Sequence, residues 1–75
     1  MIVGTVKEIK NNEYRVGLTP SSVYELRHAG HDILVEKGAG TGAGFEDADY
    51  VAAGAKLCDT AREVFAQAAM IVKVK

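Results

Sequence analysis

Several classes of protein are excluded by what this sequence has little of. It holds one cysteine, Cys58, so no disulfide can form within the chain, and a lone thiol fits a reducing compartment. Its formal net charge is −1, which gives no electrostatic reason to expect a nucleic acid or an acidic membrane as partner. No apolar run approaches the roughly 20 residues of a membrane span, and the first residues lack the layout of a signal peptide. We therefore expect a cytoplasmic protein that binds neither nucleic acid nor membrane.

The rest of the composition is that of a folded α/β domain. Of the 75 residues, 48% are hydrophobic and 25% are charged, a balance typical of globular chains. Apolar segments alternate with helical patterns, which predicts the order β-α-β-α-β-α-β and a partial doubly wound, flavodoxin-like parallel sheet. The predicted strands span residues 2–6, 32–36, 55–58 and 70–74, and the predicted helices span residues 20–29, 45–53 and 61–68.

Two of the predicted helices begin with recognisable capping residues. Thr19 is a good N-cap and Pro20 suits the first helical position. Thr60 and Glu63 form the pattern of a capping box. In contrast, the fourth predicted strand ends at Lys75 with no helix to cover its open face, although parallel sheets are normally covered on both faces. We expect the sequence to be a fragment of a longer protein.

A long polar loop between the first strand and the first helix carries the main candidate ligand-binding residue, Arg15. A planar guanidinium can hold a carboxylate with two parallel hydrogen bonds. Because the carboxyl ends of parallel strands meet at one edge, Arg15 and Lys75 are predicted at the same edge, where such sheets bind ligands. One Arg and one Lys there suit a small anionic ligand. The alternatives are a solvated arginine and a polar strand end.

A glycine-rich loop, residues 37–44, follows the second predicted strand. It fits a G-x-G-x-x-A dinucleotide-binding pattern, and Asp59 lies about 20 residues further on. Against that interpretation, extra glycines leave the loop long and slack, and the next helix opens with Glu46, Asp47 and Asp49. Three carboxylates would repel a pyrophosphate at the start of that helix. We expect a flexible structural turn that binds no cofactor.

The remaining chemically reactive side chains show no catalytic or metal-binding pattern. His28 and His31 flank a helix end without metal-ligand spacing to Cys58 or a carboxylate, so capping or solvent exposure is the expectation. Cys58 lies in a buried-looking strand without an activating partner, which is typical of an inert core thiol. The sequence thus offers neither a metal site nor a catalytic residue.

Several stretches along the chain together form a recognisable set: KEIKNNE with RV and LTP after it, GH at 30–31, VE and GAG at 35–40, GF at 44–45, AAGA at 52–55 and KVK at 73–75. These motifs resemble the N-terminus of the bacterial alanine dehydrogenases. The first and last of these motifs are typical of the alanine dehydrogenase and transhydrogenase α-subunit family, and KEIKNNE at residues 7–13 is closer to the dehydrogenase branch. One departure is Val6, where family members usually carry proline.

The resemblance implies that residues 1–75 are the N-terminal part of the substrate domain of an NAD-dependent L-alanine dehydrogenase. In that family the residue matching Arg15 holds the substrate carboxylate, and the residue matching Lys75 contacts the pyruvate carbonyl oxygen. The catalytic His and Asp and the NAD-binding domain lie beyond position 75. The chain alone is therefore expected to be inactive, and the full-length protein is expected to be a homo-oligomer, a hexamer by resemblance.

Two alternatives accompany this interpretation. A transhydrogenase α-subunit fragment would bind nicotinamide nucleotides without needing an amino acid. A non-enzymatic receiver-like domain shares the alternation of strands and helices, with Asp59 in the place of a phosphate acceptor. It lacks the acidic pair expected directly after the first strand, where Lys7, Glu8 and Ile9 stand instead.

Overall fold

Four parallel strands form a single sheet in the computed structural model, which describes residues 1–8 and 16–73. Within this part of the chain, none of the helices has the length and apolar character needed to cross a membrane. The strands are β1 (Ile2–Thr5), β2 (Asp32–Glu36), β3 (Lys56–Cys58) and β4 (Met70–Ile71), and the helices are α1 (Pro20–His28), a short 3-10 helix (Thr41–Ala43), α2 (Asp47–Ala53) and α3 (Ala61–Gln67).

The strand order is β3-β2-β1-β4, which places β1 between β2 and β4. Gly4 in β1 is in register with Leu34 on one side and with Ile71 on the other, and all three strand pairs are parallel. The predicted doubly wound parallel fold is confirmed. Its strand order begins 3-2-1-4, as in the doubly wound fold of order 3-2-1-4-5-6, whereas the flavodoxin-like variant has the order 2-1-3-4-5. The direction of winding reverses between β1 and β4, and ligands of open α/β sheets bind in the crevice outside such a switch point.

Helices cover both faces of the sheet because the strand residues alternate between them. Ile33 and Val35 point to a cluster of buried side chains that also contains Val23 of α1 and Tyr50 of α2. Leu34, between them in sequence, points to the opposite face. Its cluster there includes Val6, Cys58 and Val64, the last of these from α3. The apolar strands predicted from the sequence are therefore buried on two sides, as parallel strands normally are.

The predicted helix caps are confirmed at α1 and α3. Thr19 accepts a hydrogen bond from the amide of Ser22 at 3.2 Å, and Thr60 accepts one from the amide of Glu63 at 3.3 Å. Since these amides have no partner within their helix, the caps fix where each helix begins. The Glu63 carboxylate closes the box by accepting from the Thr60 amide.

Six predicted boundaries were wrong by one to three residues. Three of the elements, β1, α1 and α3, each end one residue earlier than predicted. The second helix begins at Asp47 rather than at Phe45, because Glu46 and Asp49 form a reciprocal capping box that places position 46 outside the helix. The third strand begins at Lys56, and the fourth is limited to Met70–Ile71 among the described residues. The amide of Val72 still donates to the carbonyl of Gly4 at 2.9 Å, so β1 and its neighbour stay together beyond the end of β4.

Candidate functional site

The candidate site is the carboxyl edge of the sheet between β1 and β4. Thr5, the last residue of β1, is fully buried, and its hydroxyl donates a 2.8 Å hydrogen bond to the carbonyl oxygen of Val72. Together with the bond from the Val72 amide to Gly4, this contact joins the two chain segments at the point where both strands end. The switch point is therefore closed by hydrogen bonds at its base.

The chain that returns from the polar loop lies directly against this edge. Gly17 packs so tightly that a β-carbon there would overlap the carbonyl oxygen of Val72 and would lie 2.9 Å from the hydroxyl of Thr5. Val16 and Val72 are both half-buried against the cluster beneath α1 and α2. The segment that follows Arg15 in sequence is thus in contact with the segment that precedes Lys75.

Two further contacts fix where the loop ends. Leu18 is buried, and its carbonyl oxygen accepts a 2.8 Å hydrogen bond from the Tyr50 hydroxyl of α2. The next residue, Thr19, caps α1. Burial raises the pKa of Tyr50 to about 12, with smaller contributions from the Asp47 and Asp49 carboxylates. The hydroxyl therefore stays protonated, as a donor to a carbonyl must.

Both predicted ligand residues, Arg15 and Lys75, lie outside the described residues. Their roles stay predictions, although Gly17 and Val72 show that the neighbouring segments meet. Sequence reasoning missed Tyr50, which anchors the end of the loop. A large aromatic residue among the small residues of α2 could have marked it as buried, but its partner is a backbone carbonyl and leaves no trace in residue types.

The glycine-rich loop is held by its own hydrogen bonds and is not slack. The Gly38 amide donates to the Asp47 carboxylate at 2.8 Å, and the amides of Ala39, Thr41, Ala43 and Gly44 donate to carbonyls within the loop or at its start. A phosphate cradle needs such amides free to point at the ligand. The described residues of the loop therefore do not fit a dinucleotide. That the loop binds no cofactor stays a prediction, and these internal hydrogen bonds are its physical basis.

Asp59 forms an ion pair with Lys37. In a dinucleotide-binding domain this acid would hold a ribose, and in a receiver-like domain it would accept a phosphoryl group. Its carboxylate lies 2.8 Å from the Lys37 ammonium, at the carboxyl edge of β2 and β3. The hydrogen bond and the charge of Asp59 raise the pKa of Lys37 above its ordinary value. Both side chains are exposed, so the pair contributes little to stability.

The histidines and the cysteine take different positions. His28 is exposed and tilts against the Tyr24 ring, with centroids 4.3 Å apart. His31 is half-buried, and its Nδ1 has no hydrogen-bond partner. Cys58 is buried, which confirms the predicted core position of this thiol. Burial, followed by the Glu63 carboxylate, raises the pKa of the thiol, and a raised pKa makes a cysteine a poorer nucleophile. Within residues 1–8 and 16–73, no His, Cys, Asp or Glu side chains group as a metal site would require.

Comparison with known proteins gives matches along the entire chain. Residues 4–75 match the family described as "Alanine dehydrogenase/PNT, N-terminal domain". A protein named alanine dehydrogenase from Methanococcus maripaludis is 55% identical over all 75 residues, and one from Mycobacterium tuberculosis H37Rv is 51% identical. The chain spans about a fifth of the length of these relatives, since the aligned region is 20% of each.

Two solved structures share the fold. An L-alanine dehydrogenase superposes on 97% of this chain with a TM-score of 0.93 and 52% identity. A transhydrogenase from Sinorhizobium meliloti covers the same share with a TM-score of 0.89 and 40% identity. In both cases the matched region is 20% of the solved chain. Sequence and structure are thus both more similar to the dehydrogenase.

Proposed function

We propose, since the chain belongs to the alanine dehydrogenase/PNT N-terminal domain family, that residues 1–75 are the N-terminal part of the substrate domain of an NAD-dependent L-alanine dehydrogenase. The observation that carries the proposal is identity of 51–55% to alanine dehydrogenases over the entire chain. The 40% identity to the transhydrogenase is lower, which favours the dehydrogenase branch. A receiver-like domain has no support from these matches, and its supposed acceptor Asp59 is paired with Lys37.

The proposed reaction converts L-alanine, NAD⁺ and water to pyruvate, ammonium, NADH and a proton. Arg15 would hold the substrate carboxylate with its two-pronged guanidinium, since such forks match carboxylate geometry. Lys75 would place its ammonium beside the oxygen of the keto acid, where negative charge develops as the adjacent carbon accepts ammonia. NAD supplies the hydride acceptor when bound.

The proposal that the two residues act together is supported by the described segments next to them in sequence. Arg15 precedes Gly17 by two residues and Lys75 follows Val72 by three, and consecutive Cα atoms are about 3.8 Å apart. Gly17 contacts Val72 at the switch point, and this contact supports the proposal that Arg15 and Lys75 serve one small ligand. Open α/β sheets bind ligands at this edge.

The cofactor would be held outside this chain, because the glycine-rich loop commits its amides internally. The catalytic His and Asp would likewise lie in the part of the relatives that this chain does not span. We further infer a cytoplasmic protein, consistent with the buried free thiol of Cys58, and a homo-oligomer, a hexamer by family resemblance.

The proposal is tested with the full-length protein that carries this chain. We expect NADH to form from NAD⁺ only when L-alanine is added, and NADH to be consumed only when pyruvate and ammonium are both present. Omission of each substrate in turn is the control. Hydride exchange between two nicotinamide nucleotides, without any need for an amino acid, would assign the protein to the transhydrogenase branch instead.

A further inference from the structure

Tyr50 connects three parts of the molecule that are distant in sequence. It lies in α2, is fully buried, and packs edge-on against Phe45 with ring centroids 6.4 Å apart. Its ring lies over Gly40 of the glycine-rich loop, where a β-carbon would come within 2.6 Å of the ring and of the hydroxyl. Its hydroxyl reaches the carbonyl oxygen of Leu18. The glycine-rich loop therefore provides the space in which the tyrosine is seated.

The position of Leu18 gives this contact a consequence beyond packing. Leu18 is three residues after Arg15 and directly before the cap of α1, so its carbonyl lies where the returning chain enters the helix. The preceding residue, Gly17, packs against Val72. The contact with Val72 keeps the returning chain close to the segment after β4, and the hydrogen bond from Tyr50 ties it to α2.

We propose that Tyr50 is a positioning residue for the substrate carboxylate: through the Leu18 carbonyl it holds residues 16–18, the segment that directly follows Arg15 in sequence. The inference rests on the proposed function. A guanidinium fork makes two parallel hydrogen bonds and is sensitive to orientation. Gly40 is part of the same device, because a side chain there would displace the ring.

The test compares Tyr50→Phe with Tyr24→Phe in the full-length protein. Tyr24 lies on α1 with 52% of its surface exposed, so removing its hydroxyl controls for the substitution itself. For Tyr50→Phe we expect KM for pyruvate to rise about 3- to 10-fold, the range for loss of one buried hydrogen bond. The kcat should change less than about twofold and KM for NADH should not change, because the interaction concerns substrate binding alone.

A merely structural role gives a different result. If Tyr50→Phe lowers Tm and kcat but leaves KM for pyruvate unchanged, the positioning role is wrong. If Tyr50→Phe does not fold, Gly40→Ala takes its place, because its β-carbon presses on the same ring. Gly40→Ala must then raise KM for pyruvate, and an unchanged KM would overturn the inference.

Hydrogen exchange separates this inference from the proposed function. Exchange at the amides of residues 16–18 should be several-fold faster in Tyr50→Phe than in wild type or Tyr24→Phe, because the carbonyl that fixes this segment has lost its donor. If the wild-type protein shows no alanine dehydrogenase activity, the proposed function fails and exchange alone judges the anchor. Equal exchange in all three proteins would show that Tyr50 does not hold the segment.

Discussion

Gly17 lies so close to Val72 that a β-carbon at position 17 would overlap the carbonyl oxygen of Val72. The same carbonyl oxygen accepts a hydrogen bond from the hydroxyl of Thr5, at the end of β1. Three chain segments therefore meet at Gly17: the returning loop, the end of β1 and the segment after β4. The space between them holds the backbone of residue 17 but not a side chain. Such a close approach of backbones is a position where glycine is required.

Gly17→Ala should destabilise the protein by about 1–3 kcal/mol, the usual cost of overpacking. The obstruction is a backbone carbonyl, which cannot rotate away as a flexible side chain could. We expect Tm to fall by at least about 4 °C in a chain of this size, measured by thermal unfolding. Gly30→Asn is the matched control: a side chain there meets open space, at a positive φ that Asn tolerates better than other residues. Equal Tm for Gly17→Ala and wild type would contradict the close contact.

Local signals in the sequence were enough to predict the elements of this fold. The caps at Thr19 and Thr60 are made by side chains to amides three residues away, so nearby residue types determine them. The run of Ile33, Leu34 and Val35 is apolar without alternation because each face of the sheet carries a helix. Information of this kind lies within a few residues and can be read directly.

Contacts between distant segments could not be read in the same way. The topology argument placed the ends of β1 and β4 at one edge, but it did not show that these strands are hydrogen-bonded neighbours. The bond from Tyr50 to Leu18 spans 32 positions and ends on a backbone carbonyl, which every residue possesses. The start of α2 was misplaced because two acids, Glu46 and Asp49, serve as a capping box in which Glu46 takes the place of the usual Ser or Thr.

The ionisation of Tyr50 should make the protein less stable at high pH. Its folded-state pKa is raised to about 12, chiefly by burial, whereas an unfolded tyrosine ionises near pH 10. Between these values the folded state binds more protons, so the free energy of unfolding falls as pH rises. The contribution is fully present below about pH 10, and its loss approaches roughly 3 kcal/mol by about pH 12.

Urea unfolding of wild type and Tyr50→Phe across this pH range measures that contribution. The stability difference between the two proteins should shrink or reverse as pH rises above about 10, since phenylalanine has no proton to lose. Tyr24→Phe removes an exposed hydroxyl and serves as the control for the substitution itself. Parallel curves for wild type and Tyr50→Phe would show that the hydroxyl is not buried in the folded state.

The 75-residue chain should bind no NAD that calorimetry can measure. The Asp47 carboxylate occupies the Gly38 amide, and a pyrophosphate would have to displace it against the charge of neighbouring acids. Substitution of Gly40 would be a poor test, since it also unseats Tyr50. Asp47→Asn is the better comparison, because it removes the negative charge and keeps the size and shape of the side chain. Micromolar affinity in the unaltered chain would overturn this prediction.

Arg15→Lys in the full-length protein should act mainly on substrate binding. The substitution keeps the charge but loses one prong of the fork, and a hydrogen bond to a charged group contributes about 1.5–3 kcal/mol. That is roughly a ten- to hundred-fold loss in kcat/KM. If the fork holds substrate and transition state alike, most of the loss appears as a raised KM for pyruvate in steady-state kinetics. A fall in kcat alone would contradict a carboxylate-binding role.

Lys75→Ala should act mainly on kcat, because its ammonium would face an oxygen whose charge changes during the reaction. An interaction that is stronger in the transition state than in the ground state lowers the barrier, and its loss is not recovered by adding substrate. Lys73→Ala is the matched control, since Lys73 is an exposed lysine two positions earlier. Steady-state kinetics with pyruvate, ammonium and NADH measure both variants. A wild-type kcat for Lys75→Ala would mean that Lys75 does not lie at the substrate, and the convergence of the two strand ends on one ligand would then be wrong.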